Sequence, residues 1–120
     1  MYQHSFEKLT VWQDSIDLVE LIYKTVSSFP DDEKYGLVSQ MKRSTVSISS
    51  NLAEGTSRIT KKDKAHFSTM AFSSTMELLC QVEICKRLAF VDEDQYSNLR
   101  SNIFKISNKI NSLRKSQLNG

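Results

Sequence analysis

The stretch from Asp92 to Leu113, DEDQYSNLRSNIFKISNKINSL, decides the fold class of this chain. Its apolar side chains recur at intervals of three and four residues, the spacing that keeps one stripe of an α-helix against neighbouring helices. Asp92 and Gln95 stand in the positions of a capping box, so a helix is predicted over about residues 93–116. The stripe consists of Tyr96, Leu99, Ile103, Ile106, Ile110 and Leu113.

Three further helices are predicted upstream. Thr10 is the predicted N-cap of the first helix, with Gln13 in capping-box position. This helix must end before Pro30, because a proline pushes the preceding residue out of helical geometry. The acidic turn that begins at Asp31 favours the start of the second, and Thr60 is the predicted N-cap of the third. The predicted spans are about residues 11–28, 32–55 and 61–89.

Short connections make consecutive helices run antiparallel, so the four segments predict an all-α, up-and-down antiparallel four-helix bundle. The chain has 120 residues with one proline and three glycines, which fits a single domain over residues 1–120. A chain of this length needs no disulfide or metal to hold its core. Cys80 and Cys85 are accordingly interpreted as reduced packing residues.

The N-terminus has no apolar signal segment and no stretch approaches a membrane span, so we expect a cytoplasmic protein with no membrane partner. The formal net charge is +2. Residues 1–54 carry 5 basic and 8 acidic side chains, whereas residues 55–120 carry 11 and 6. This split permits an acidic partner such as RNA, although solvated helix surfaces explain it equally well.

The sequence offers no convergent catalytic group, so we predict no enzyme activity, no cofactor and no metal. His4 and His66 are the two histidines, and neither has the further ligands that a metal site needs. The Glu-x-x-His repeats of di-iron bundles are missing. Gly36, Gly55 and Gly120 stand too far apart to form a phosphate-binding loop.

Basic residues indicate a candidate binding site, because four cations lie within seven consecutive positions at the turn between helices two and three. Such a cluster could hold phosphates beside the free amides at the start of helix three. The alternative is a solvated, lysine-rich turn. The candidate contacts for a nucleic acid or another partner are Lys42, Arg43, Arg58, Lys61, Lys62 and Lys64.

Helix two carries a predicted core stripe and, on its opposite side, a polar stripe. Ser47, Asn51 and Glu54 share an arc of about 80° with two arginines at 100° per residue. The polar stripe is interpreted either as a ligand-contacting network or as a solvated outer face. The predicted core stripe consists of Val38, Met41, Thr45, Ile48 and Leu52.

Helix three is apolar on two sides. One stripe, from Phe67 to Ala89, suffices for a monomeric bundle, so the second face favours burial against another subunit over an unusually central helix. Phe104 on helix four lies off its main stripe and adds weight to the subunit. The second face, the predicted oligomer interface, consists of Phe72, Met76, Leu79 and Phe90.

The tract from Tyr35 to Arg58 resembles the bacterial four helix bundle protein family encoded in intervening sequences of 23S ribosomal RNA genes, the S23 ribosomal protein family. The resemblance extends from Phe6 to the end of helix three. Ser49-Ser50 and Ser44-Thr45 depart from the small apolar residues common in the family. The residues that carry the resemblance are Phe6, Leu9–Gln13, Phe29-Pro30, Tyr35–Leu37, Gln40–Ser44, Ser47-Ile48, Asn51–Gly55 and Arg58.

The resemblance implies a homopentamer, similar to the accessory variability determinant of diversity-generating retroelements, which binds a reverse transcriptase and nucleic acid. It supplies no catalytic residues. We therefore predict a non-enzymatic oligomeric binding protein that contacts RNA or a nucleic-acid-handling partner. The alternative is a structural scaffold or adaptor that binds protein only.

Overall fold

The computed structural model describes residues 2–120 and shows four α-helices. Two short 3-10 turns, Ser5–Lys8 and Asp31–Glu33, precede the first and second helix. The all-α, four-helix prediction is confirmed. The helices are α1 (Thr10–Val26), α2 (Leu37–Thr56), α3 (Lys61–Arg87) and α4 (Glu93–Asn119).

The helices form a square in which each packs against its two neighbours in the order α1, α2, α3, α4 and back to α1. The α1/α2 and α3/α4 sides are therefore opposite faces of the bundle. The connections between α1 and α2 and between α3 and α4 lie at one end, where the rings of Phe29 and Phe90 meet at 5.3 Å. The α2–α3 connection lies at the other end of a body 44 Å long.

Two predicted helix starts are confirmed. The Asp92 carboxylate accepts from the Gln95 amide at 2.8 Å, and the Gln95 side chain accepts from the Asp92 amide at 2.9 Å. The Thr60 hydroxyl oxygen accepts from the amide of Asp63 at 3.1 Å. These bonds satisfy amides that have no partner within the first turn of a helix.

The predicted start of α1 was wrong. Thr10 lies inside the helix and Leu9 is the N-cap, with no side-chain cap. The 3-10 turn before α1 explains the difference, since it places the Glu7 carbonyl 2.9 Å from the Gln13 side chain that was expected to cap the helix.

The predicted start of α2 was also wrong. The acidic turn forms a separate 3-10 turn in which Lys34 donates to the Asp31 carbonyl at 3.1 Å. Gly36 then leaves helical geometry at φ −108° and ψ −108°, so α2 begins at Leu37.

The core is apolar and continuous, and the predicted α2 stripe is buried throughout. At the far end of α2, Gly55 permits close approach to α3, because a Cβ there would meet the Cβ of Phe67 at 3.1 Å. Buried members from the other helices include Leu18, Ile22, Leu78, Val82, Leu99, Ile103 and Ile110.

Helix α3 ends two residues earlier than predicted, at Arg87. Ala89 adopts a left-handed conformation with φ of 60°, outside the helix. The amide of Phe90 then donates to the Cys85 carbonyl at 2.9 Å and that of Ala89 to the Lys86 carbonyl at 3.1 Å. This pair of bonds is a Schellman motif, which satisfies the last carbonyls of α3.

Candidate nucleic-acid interface

The two ends of the bundle carry opposite charge. Residues 57–64 and 113–120, here called the basic end, hold six cations and one carboxylate. Residues 31–36 and 91–95, the acidic end, hold six carboxylates and one lysine. The Lys86 and Arg87 cations at the end of α3 offset part of the acidic charge, and Lys86 lies 3.8 Å from the Glu93 carboxylate.

The basic end is assembled from two helix termini that are distant in sequence. The Ser68 hydroxyl near the start of α3 donates to the Gln117 side chain near the end of α4 at 2.6 Å. Arg114 and Lys115, which precede Gln117 by three and two residues, therefore lie on the part of α4 that packs beside the N-terminal third of α3. The sequence does not reveal this contribution of the α4 cations, because helical angles do not show which helix ends adjoin.

Two of the four cations in the α2–α3 turn have partners within the chain. The Arg58 guanidinium lies 2.7 Å from the Glu54 carboxylate and 4.6 Å from the centre of the Phe67 ring. The Lys64 amine donates to the Thr56 carbonyl at 3.2 Å and so caps the C-terminus of α2.

The other two cations, Lys61 and Lys62, are exposed and form no salt bridge within residues 2–120. They occupy the first turn of α3, where free amides and the helix dipole favour an anion. Ile59 stands at the tip of the same turn with 94% of its surface exposed.

Lys42 and Arg43 lie apart from this cluster. Both lie on α2, nearer the acidic end than the basic end. They precede Arg58 by 16 and 15 residues, which corresponds to about 23 Å along a helix axis. The Lys42 amine is 4.7 Å from the centre of the Tyr23 ring, and Arg43 is exposed. The structure therefore divides the predicted basic contacts into two groups.

The polar stripe of α2 divides in a similar way. The hydroxyls of Ser47 and Ser74 are 2.9 Å apart, and the Asn51 side chain donates to the Ser47 carbonyl at 2.9 Å. These groups line the contact between α2 and α3. Glu54 lies outside this seam and pairs with Arg58 on the surface.

The predicted second face of α3 lies against α4, and part of it lines an open cavity of about 90 Å³ between the two helices. Met76, Leu79 and Phe104 form its apolar wall, here called the α3/α4 groove. Phe104 is 67% exposed. Phe72 is half-buried against the core, while Phe90 packs on Phe29 at the acidic end, away from the groove.

A polar network stands beside the α3/α4 groove. The Glu83 carboxylate accepts hydrogen bonds from the Tyr96 hydroxyl and the Arg100 guanidinium, and the Lys86 amine lies 4.0 Å from the Tyr96 ring centre. The Tyr96 hydroxyl, followed by the Arg100 charge, lowers the pKa of Glu83 below its usual value. Charged side chains thus border the α3/α4 groove on the side nearer the acidic end.

A second apolar groove lies on the opposite face of the bundle. Half-buried Trp12, Ile16 and Val19 of α1 face Val46 and Ala53 of α2 across an open cavity of about 340 Å³. This α1/α2 groove was not predicted from the sequence. The bundle therefore has apolar surface on two opposite sides.

The cysteines differ from the prediction in one respect. Cys85 is buried, and its thiol lies 3.4 Å from the Met41 sulfur, but Cys80 is exposed. Burial raises the pKa of Cys85 to about 11. Both thiols are free.

Within residues 2–120, no three His, Cys, Asp or Glu side chains are grouped so that they could hold a metal ion. His66 is exposed near the start of α3, with its ring 5.6 Å from that of Phe67. Over the same residues, no helix has the length and apolar character of a membrane span.

Comparison with known proteins places this fold in a family. A crystal structure from Bacteroides thetaiotaomicron VPI-5482, of a protein with unknown function from the S23 ribosomal protein family, superposes with a TM-score of 0.82 at 20% identity. The superposition covers 88% of this chain and 96% of that chain. At this sequence identity the similarity shows the fold alone. No match was found among curated proteins. The family model for the 23S rRNA-intervening sequence protein matches residues 7–112, and the chain belongs to that family.

Proposed function

We propose that this protein is a non-enzymatic, homo-oligomeric binding protein that contacts RNA through its basic end. The observation that carries the proposal is the separation of charge along the bundle, with six cations at one end and six carboxylates at the other. A phosphate backbone is attracted to the first end and repelled by the second, so RNA binding is directed to one end.

The contacts expected at the basic end follow from the partners of each cation. Lys61 and Lys62 are exposed and free to meet phosphates, beside the free amides of the first turn of α3. Arg114 and Lys115 are exposed on the neighbouring end of α4 and extend the same surface. Arg58 and Lys64 support the turn through their bonds to α2.

The proposed assembly rests on the two apolar grooves. An isologous dimer needs one self-complementary patch, whereas two different patches suit a head-to-tail contact, which closes into a ring when the rotation between successive copies allows it. The α3/α4 groove of one copy would meet the α1/α2 groove of the next. A homopentamer, which the family resemblance implies, is the ring size we propose.

The RNA proposal is tested by titrating a fluorescently labelled RNA and following anisotropy at several salt concentrations. Wild-type affinity should fall by roughly 0.7–0.9 log units per log unit of salt for each phosphate contact. The variant Lys61→Glu/Lys62→Glu should bind more weakly, with a salt slope smaller by about two contacts.

The matched control is Lys24→Glu/Lys34→Glu, which changes the net charge equally but at the acidic half of the bundle. Both lysines are exposed, so neither pair of substitutions should disturb the core. Equal weakening by the two double variants would show that net charge alone acts and would contradict a site at the basic end.

A protein-only scaffold or adaptor is the second candidate, favoured by the apolar α1/α2 groove with its exposed flank of Val46. Such a protein would not bind RNA even at low salt. It would still capture a protein partner, and Val46→Glu would abolish that capture while Lys61→Glu/Lys62→Glu would not.

A further inference from the structure

Four aromatic rings follow one another from the N-terminal segment that precedes α1 to the first turn of α1. The Tyr2 and His4 rings meet edge to face with centres 5.2 Å apart, and the His4 and Phe6 rings are stacked at 6.0 Å with an interplanar angle of 8°. Phe6 in turn meets Trp12 at 5.0 Å. These four rings, here called the ring ladder, connect the exposed Tyr2 to the side of α1.

Hydrogen bonds fix this segment on the bundle. The His4 amide donates to the Glu7 carboxylate at 2.9 Å, and the Gln13 side chain of α1 donates to the Glu7 carbonyl at 2.9 Å. Tyr2 is 80% exposed, and His4 is exposed as well. The exposed Tyr2 and His4 rings therefore lie on a segment that is hydrogen-bonded to α1.

The ladder borders an open depression of about 570 Å³ beside the C-terminal half of α2. Tyr2, His4 and Phe6 line one side, and Glu54 and Ser57 line the other. A cavity of this size accommodates a small planar ligand. The Glu54 carboxylate is also the partner of Arg58 at 2.7 Å, so the depression lies beside one cation of the basic end.

We infer that this depression receives an unpaired nucleobase of RNA, stacked on the exposed ring of Tyr2 or His4, while the flanking phosphates lie on the basic end. Aromatic rings bind splayed bases by stacking, whereas bases within a continuous duplex are not accessible to them. The inference rests on the proposed function and narrows it, since it names single-stranded or looped RNA as the ligand class.

The test uses a single-stranded RNA of about ten nucleotides that contains 2-aminopurine, and the duplex of the same sequence. Wild-type protein should quench the 2-aminopurine fluorescence of the single strand. Tyr2→Ala/His4→Ala should lose the quenching and bind the single strand about tenfold more weakly, with duplex binding unchanged.

Tyr35→Ala is the matched control, because Tyr35 is 88% exposed at the acidic end. It should change neither quenching nor affinity. All of these side chains are exposed, so thermal melting should confirm that each variant is folded.

The outcomes separate the two proposals. If Tyr2→Ala/His4→Ala binds and quenches as the wild type does, while Lys61→Glu/Lys62→Glu binds weakly, the nucleobase site is refuted and RNA binding at the basic end stands. If the wild-type protein binds neither the single strand nor the duplex at low salt, both the nucleobase site and RNA binding at the basic end are refuted.

Discussion

Replacing Phe104 by glutamate would test the assembly without disturbing the fold of the single chain. Phe104 is 67% exposed and belongs to the apolar wall of the α3/α4 groove. Fully burying a phenylalanine is worth about 1.5–3 kcal/mol, so covering the exposed two thirds contributes about 1–2 kcal/mol to each contact between copies. A glutamate adds at least about 2 kcal/mol of desolvation cost in the same place.

These terms sum to about 3 kcal/mol for each contact, or a weakening of association by more than about a hundredfold. Within one chain the change should stay within about 0.5 kcal/mol, as for other exposed positions. Size-exclusion chromatography with light scattering should therefore give the mass of an oligomer of 13.8 kDa subunits for the wild type and the mass of a monomer for Phe104→Glu.

The control is Tyr35→Glu, an equally drastic change of an exposed aromatic residue outside both grooves. It should leave the mass unchanged. A Phe104→Glu protein with the wild-type oligomeric mass would refute our account of the groove, and so would a wild-type protein that is itself a monomer.

Three further predictions concern the fold. Ala89→Gly should raise the free energy of unfolding in urea by about 0.5–1 kcal/mol, because φ at this position is 60°; the same change at helical Ala53 should lower it by about 1 kcal/mol, and a neutral or destabilising Ala89→Gly would contradict the left-handed cap. A disulfide reagent at pH 8 should modify one thiol per native chain, Cys80, and two after unfolding; rapid native labelling of both would contradict the burial of Cys85. Since burial raises the pKa of Cys85 from 9.0 to about 11, its contribution to stability is complete below pH 9 and is lost as the pH rises towards 11, a decline that Cys85→Ala should abolish.

Local sequence signals predicted the elements that depend on local chemistry. Asp92 and Gln95 cap α4 as expected, because the bonds they form join residues three positions apart. The predicted start of α1 was wrong because another local interaction, which the prediction left out, decides it. A preceding 3-10 turn, which had not been predicted, gives the Gln13 side chain a different partner, because its amide group donates to the Glu7 carbonyl instead of accepting from a cap amide.

The candidate site was predicted in part. The cluster from Arg58 to Lys64 is visible in the sequence because it is contiguous. The contribution of Arg114 and Lys115 depends on which helix ends adjoin, and helical angles on one helix carry no such information. Ser47 and Asn51 were ambiguous for the same reason, since α3 covers the flank of α2 on which they lie.

The N-terminal ring ladder was overlooked because three of its four members precede α1. Nothing in the sequence holds His4 and Glu7 on one face, and His4 was assessed only as a metal ligand. The backbone of the 3-10 turn brings them together, with the His4 amide 2.9 Å from the Glu7 carboxylate.

The central claim, that the basic end contacts RNA, is tested most directly by ultraviolet crosslinking of the bound complex followed by mass spectrometry of the crosslinked peptides. We predict crosslinks within residues 2–8, 57–64 and 113–120. Crosslinks that cluster at residues 31–36 and 91–95, or none from protein mixed with RNA at low salt, would contradict the account.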